Sequence, residues 1–307
     1  MRSIILFIVS FLLAPLFSAI ILKVKAFFGG RKGPSIFINY YTLAKLFFHK
    51  SSVYSETTTF IFRLGPIVSF AVILVSLLFF PFAHVRSVFA FEGDILFLIY
   101  LLGLGRFLTI IAALDTGSSF EGMGASREAW FSILAELTLF MIFIFLYKVS
   151  ASISFSGALA TLSAGGNLYH LFTASLVLIM AALFMVLLSE NCRVPVDDPA
   201  THLELTMIHE VMVLDHSGPE LGLIQLGADL KLVFYASFIA CLLLPFSLGN
   251  MWLDILSFYS LVVLIYIFIG IIESIIPRFR FIKVAKFLLA SFALAFFANI
   301  IIFGGLS

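Results

Sequence analysis

Eight stretches of about 18–22 residues carry almost no charge, close to the length that takes a helix across the roughly 30 Å hydrocarbon core of a bilayer. They lie near 3–22, 64–83, 95–114, 129–147, 171–189, 232–253, 255–276 and 287–306. Lipid offers backbone N–H and C=O groups no partner, so a crossing segment of this kind must be a helix. The pattern predicts an all-α integral membrane protein of about eight transmembrane helices, organised as a single transmembrane domain over residues 1–307. Composition agrees. Hydrophobic residues make up 62% of the chain and charged ones 11%, where soluble proteins average about 25% charged. A soluble core cannot hide that much apolar surface at this length. The 3–22 stretch is read as the first helix, being long enough to span rather than be cleaved.

Lysine and arginine set the expected orientation. The connections 23–63, 115–128, 190–231 and 277–286 hold most of the basic residues, from Lys23 and Lys25 through Arg193 and Lys231 to Lys286. The opposite connections hold Arg2, Arg86 and Lys148. The four basic connections are therefore expected on the cytoplasmic side of the cell (inner) membrane, with both termini outside. Within the first of them, residues 36–50 (IFINYYTLAKLFFHK) are too polar to span and suit an amphipathic helix at the interface. Residues 148–170 read as an irregular loop with a short interfacial piece. A net charge of +1 without a basic stripe argues against nucleic acid as a partner. Two cysteines, Cys192 and Cys241, cannot hold a four-cysteine iron–sulfur cluster or a zinc finger, and a disulfide between them is not expected.

The segment 190–220 (ENCRVPVDDPATHLELTMIHEVMVLDHSGPE) is acidic where an inner connection should be basic. It carries Glu190, Asp197, Asp198, Glu204, Glu210, Asp215 and Glu220 beside a single Arg193. Thr201 and Glu204 suit a capping box for a helix running from His202 to Met212. Crowded, partly buried carboxylates bind protons more tightly than free ones, so such a loop can hold and pass protons near neutral pH. A solvated acidic loop is the plainer alternative. His209–Glu210 opens an H-E-x-x-H pattern that Val213 breaks, so no metal site is expected.

Ionisable residues also fall inside or at the ends of the apolar stretches: Arg106, Asp115, Glu136 and Glu273. Each is costly in lipid and should face the bundle interior or water. Arg106 and Glu136 could simply pair. The functional reading makes Glu136, Glu190, Glu204, Glu210 and Asp115 parts of a proton path from the inner connections into the bundle. Residues 115–128 (DTGSSFEGMGASRE) read as a glycine-rich loop with Glu121, Arg127 and Glu128, its glycines permitting tight turns and close approach of a partner.

Taken together, GRKGP followed by an amphipathic Y-x-x-x-K-L segment, GASRE, and ENCRVPVDDPATHLELTMIHE resemble one family. It is the membrane subunit shared by respiratory complex I (its subunit 1) and the group 4 membrane-bound [NiFe] hydrogenases. Asp198 and the HLELTMIHE run resemble the hydrogenase-4 and formate hydrogenlyase-like branch. The resemblance implies a non-catalytic membrane anchor and ion-pathway subunit that couples electron transfer in a peripheral arm to proton or sodium translocation. It implies partners: hydrogenase small and large subunits, an iron–sulfur subunit and antiporter-like membrane subunits. The iron–sulfur clusters and the NiFe centre would belong to those partners, with no cofactor or metal in this chain. Glu190, Asp197 and Glu204 carry over as pathway residues, and Arg193, Arg127 and Glu128 as structural or partner-facing residues. Asp198, Glu210, Glu136, Asp115 and Arg106 rest on the residue-level argument. Two other readings stay open here, a quinone-lining complex I subunit and a stand-alone secondary ion transporter.

Overall fold

The computed structural model describes residues 2–164, 172–198, 207–244 and 250–305, and among these every regular element is helical. Ten α-helices follow in order: α1 (Arg2–Phe28), α2 (Ile38–His49), α3 (Phe60–Leu78), α4 (Asp94–Asp115), α5 (Ser119–Ser150), α6 (Phe155–Ala164), α7 (Phe172–Glu190), α8 (Gly218–Leu243), α9 (Met251–Ile275) and α10 (Phe281–Gly305). Seven of them (α1, α3, α4, α5, α8, α9 and α10) are long and apolar enough to cross a membrane, and α7 adds a shorter apolar helix. Each of the eight predicted stretches overlaps one of these helices, although 64–83 runs past the end of α3 and 232–253 past the end of α8.

Helix α8 forms the axis of the bundle. From Leu230 to Leu242 nearly every side chain is buried, including Tyr235 and Phe238. It packs on α1, α2, α3, α7 and α9, while α3 pairs with α4 and α10 with α5 and α7. Gly65 makes the α3–α4 contact close: a Cβ there would stand 2.6 Å from that of Ala112.

The bundle has two chemically distinct ends. At one, Tyr54 donates to Glu220, the Thr59 N–H and hydroxyl donate to Asp115, and Arg278 pairs with Asp197. At the other, Ser3 donates to the Arg86 carbonyl, and Asp94 accepts from Ser154 Oγ and Phe155 N at the start of α6. Helix α2, the predicted amphipathic element, is held by its polar side chains as well as by Leu43. Asn39 and Tyr40 donate to the Pro15 and Leu12 carbonyls of α1.

Three local readings change. Residues 119–128 are not a loop but the first turns of α5, so the link from α4 is only Thr116–Ser118 long. Thirty-two residues make α5 about 48 Å long, more than a hydrocarbon core of about 30 Å requires. The 190–231 connection ends at Ser217, because Pro219 and Glu220 start α8, and Lys231 lies inside that helix. The expected 202–212 helix is not formed where the chain is described: Met207–His209 are irregular and Glu210–Val213 make a single 3₁₀ turn. Its opening residues, His202 and Glu204 among them, lie outside the described residues.

Candidate functional site: a buried seam of charge

Arg106 stands near the middle of α4, and its guanidinium reaches carboxylates from two other helices. It donates to Glu136 Oε1 of α5 at 2.5 Å and to both oxygens of Glu190 at the end of α7 at 2.8 Å. Its Nε lies 3.6 Å from Glu128 Oε1, also on α5. Lys231 of α8 completes the group, 2.9 Å from Glu190 Oε2. The side chains of Arg106, Glu128 and Glu190 are 8%, 8% and 3% exposed, whereas Glu136 is 35% exposed at the far end of the chain of contacts. The expected Arg106–Glu136 pair therefore exists, as one link of a longer seam that joins α4, α5, α7 and α8. Such a cluster is costly to bury unless each charge is paired, and side-chain pairing from four helices meets that need.

The seam continues into the connection before α8. His209 Nε2 lies 3.1 Å from Glu128 Oε2, and its side chain is 22% exposed. Burial disfavours charge on this imidazole. The Glu128 carboxylate at 3.1 Å outweighs it and holds the His209 pKa well above the usual histidine range. The Cys192 thiol, in turn, is pushed up by burial. Although Cys192 lies beside the ring, no hydrogen bond of good geometry reaches His209 Nδ1. The position of His209 depends on Gly124, in the glycine-rich stretch read from the sequence. A Cβ at 124 would meet Val211 Cγ1 at 2.3 Å and the Ile208 carbonyl oxygen at 2.9 Å. The partner that this glycine admits is the chain's own 208–212 segment.

Asp197, fully buried, does a different job. Its Oδ2 accepts from the N–H groups of Ile208 (3.0 Å) and His209 (3.1 Å), and its Oδ1 pairs with Arg278 at 2.8 Å. Arg127 supports the same segment by donating to the Met207 carbonyl and stacking over Phe281. Phe279 N donates to the Pro195 carbonyl. A second ionic group joins α1, α9 and this connection: Lys25 lies 3.0 Å from Glu273 and 3.8 Å from Asp198, and Arg193 lies 3.5 Å from Glu273. Asp115 stands apart from both groups, its carboxylate engaged by Thr59 at the start of α3. Glu210 lines the cavity described next, and Glu204 lies outside the described residues.

That cavity, of about 200 Å³, opens between α3, α4 and α8. Pro66, Phe70, Leu102 and Ile224 are among its apolar lining, and Arg106, Glu128, Glu190, His209 and Lys231 line it as well. His216 also lines it. Its ring stacks on Phe62 at 4.0 Å and its Nδ1 lies 3.6 Å from Glu220. Burial lowers the His216 pKa, against the pull of Glu220.

Three participants escaped the sequence reading. Lys231 was assigned to a loop, although with Asp229 it forms the only charge in the central part of α8. Lys25 counted only as a basic residue setting orientation, yet it neutralises Glu273. His209 reads from the sequence as part of a broken metal motif and of the polar side of the expected 202–212 helix. No group of three or more His, Cys, Asp or Glu among the described residues could hold a metal ion.

Comparison with known proteins agrees with this architecture. The NADH dehydrogenase family profile matches residues 1–304. The chain is 32% identical over 294 residues to hydrogenase-4 component C of Escherichia coli (strain K12), covering 94% of this chain and 91% of that one. It is 28% identical over 300 residues to formate hydrogenlyase subunit 4 of the same organism, covering 95% and 94%. To NADH-ubiquinone oxidoreductase chain 1 of Triticum aestivum it is 26% identical over 277 residues, covering 84% and 81%. Its fold matches a chain of the membrane-bound sulfane sulfur reductase, an archaeal respiratory membrane complex, with a TM-score of 0.82 at 21% identity over 98% of both chains. The chain thus belongs to the NADH dehydrogenase family of membrane subunits that includes chain 1 of the NADH-ubiquinone oxidoreductases.

Proposed function

We propose that this chain is the membrane-anchor and ion-pathway subunit of an energy-converting [NiFe] hydrogenase complex. The observation that carries the reading is the seam from His209 through Glu128 and Arg106 to Glu190, Lys231 and Glu136. Charged groups at bilayer depth are rare, and where they form a contiguous set they mark ion or proton routes. The relatives named for hydrogenase-4 and formate hydrogenlyase favour a hydrogenase complex. Its hydrogenase small and large subunits, iron–sulfur subunit and antiporter-like membrane subunits would hold the redox centres and receive the ion.

In this reading the chain is one transmembrane unit of the inner membrane. The end that carries Asp197, Glu220 and Arg278 faces the cytoplasm, and both termini face outward. An electron arriving near that end changes the proton affinity of the nearby carboxylates, and the low dielectric carries the effect inward. Glu136, Glu190, Asp198, Glu204 and Glu210 form the candidate route, with Glu128 beside Arg106 as a further member and Arg106, Arg127 and Arg193 as its fixed cations. Asp115 and Asp197, also expected on it, are engaged by Thr59 and by backbone N–H groups and serve the architecture instead. Glu190→Gln and Glu136→Gln in the assembled complex should lower ion uptake into inverted vesicles about tenfold per electron transferred. Undiminished uptake in both variants sinks the reading.

The cavity, apolar in part and lined by Arg106 and His209, supports a second reading, a quinone-lining subunit of an NADH–quinone oxidoreductase. A short-chain quinone that protects Cys192 from alkylation in the purified complex would favour it.

A further inference from the structure

The seam has a charge balance that singles out one residue. Glu128, Glu136 and Glu190 supply three carboxylates, and Arg106 and Lys231 supply two cations. Arginine does not give up its proton in a protein, and Lys231 is locked on Glu190 at 2.9 Å. His209, 3.1 Å from Glu128, is the group placed to supply a third positive charge. The cavity that His209 lines is also lined by Cys192, Glu210 and His216 from the connection and by Arg106, Glu190 and Lys231 from α4, α7 and α8, and Asp197 accepts from the His209 backbone N–H. Asp197 is engaged by three backbone N–H groups and Arg278. Among the cations of the seam, the imidazole is the one that gives up its proton near physiological pH, and doing so breaks only its own pair with Glu128. It is also partly exposed and borders the cavity.

We propose that His209 is the loop-side proton carrier of the seam, whose proton sets how Arg106 is shared among the three glutamates. The inference rests on the ion-pathway reading above. With a proton on Nε2, His209 neutralises Glu128, and Arg106 stays committed to Glu136 and Glu190. When that proton passes to Glu128 Oε2, the imidazole and the carboxyl are both neutral, and Arg106 is held by Glu136 and Glu190 alone. When the proton leaves toward solvent instead, Glu128 becomes an unpaired carboxylate 3.6 Å from Arg106 Nε and competes for the guanidinium. Glu136, the most exposed member, then loses its hold. Histidine is suited to this role because its charge changes near physiological pH.

Two measurements on the whole complex in lipid nanodiscs or vesicles test the inference. In ¹⁵N-histidine NMR, the signal that disappears in H209Q should remain protonated above the usual histidine value, and E128Q should lower its proton affinity at least tenfold. A signal that titrates as an ordinary histidine, unmoved by E128Q, overturns the proposal. In electron-driven ion uptake, H209Q should fall about tenfold and lose the limb of the pH profile that follows the histidine. H209K retains the third positive charge and serves to separate charge balance from proton transfer. It should assemble normally yet also lose that limb, and an unchanged profile in H209K overturns the proposal. If E190Q abolishes uptake and H209Q does not, the histidine inference alone fails. If neither variant affects uptake, the ion-pathway reading fails with it.

Discussion

Glu190 and Asp197 lie seven residues apart in one motif and both are buried, yet the regions around them are built on different partners. Asp197 is held by three backbone N–H groups, those of Asp198, Ile208 and His209, and by Arg278, which fixes the connection where it approaches α5. Glu190 is held only by side chains, Arg106 and Lys231, from two other helices. Backbone donors cannot change partner without refolding the segment, whereas side-chain cations shared among several carboxylates can be redistributed. The Asp197 region is therefore architecture, and the Arg106 seam is the part that can respond to charge.

Arg106→Gln should have the largest effect. It leaves three carboxylates facing one another with one fixed cation, and breaking a buried pair typically costs about 3–5 kcal/mol. The fall in melting temperature of the purified complex measures it, and coupling should be lost in whatever protein still assembles. Asp197→Ala should come next. Each orphaned buried N–H costs about 1–3 kcal/mol. Arg278 is 18% exposed and can turn to water, which limits the rest of the loss. Protein that survives this substitution should retain some coupling, and a complete loss of coupling at intact stability would erase the distinction between the two regions.

Gly124→Ala tests the joint between the regions. Its Cβ would overlap Val211, and overpacking of this kind costs about 1–3 kcal/mol. The variant should draw His209 away from Glu128 and lower the histidine's proton affinity, read by NMR. Thr59→Ala is the outlying control. It removes the hydroxyl that caps α3 and binds Asp115, for a loss of about 1 kcal/mol, and should leave coupling intact.

The smallest expected effect is a pH dependence. The His209 pKa is raised in the folded protein, so its contribution to stability is fully present below the unfolded histidine value of about 6.5. That contribution is lost as pH rises through the higher folded value. His216, whose pKa burial lowers, works in the opposite sense and costs stability as pH falls below the unfolded value. Melting curves of H209Q and wild type should converge as pH rises above the folded-state value.

The apolar stretches determined the membrane class and the number of long helices, because span length and charge exclusion are local properties that lipid enforces on each segment separately. The carboxylates of the 190–220 segment were likewise legible as a costly concentration of charge. The sequence could not say which cations answer them. Lys231 is 41 residues from Glu190 and Arg106 is 84, so their meeting is decided only when α7 packs on α8 and α4 packs on α3 and α5, which brings Arg106 within reach. Nor could it distinguish a carboxylate that clamps backbone, as Asp197 does, from one held by movable charges, as Glu190 is. Buried charge is offset by whatever neighbours the fold delivers, and those neighbours are a property of the tertiary structure.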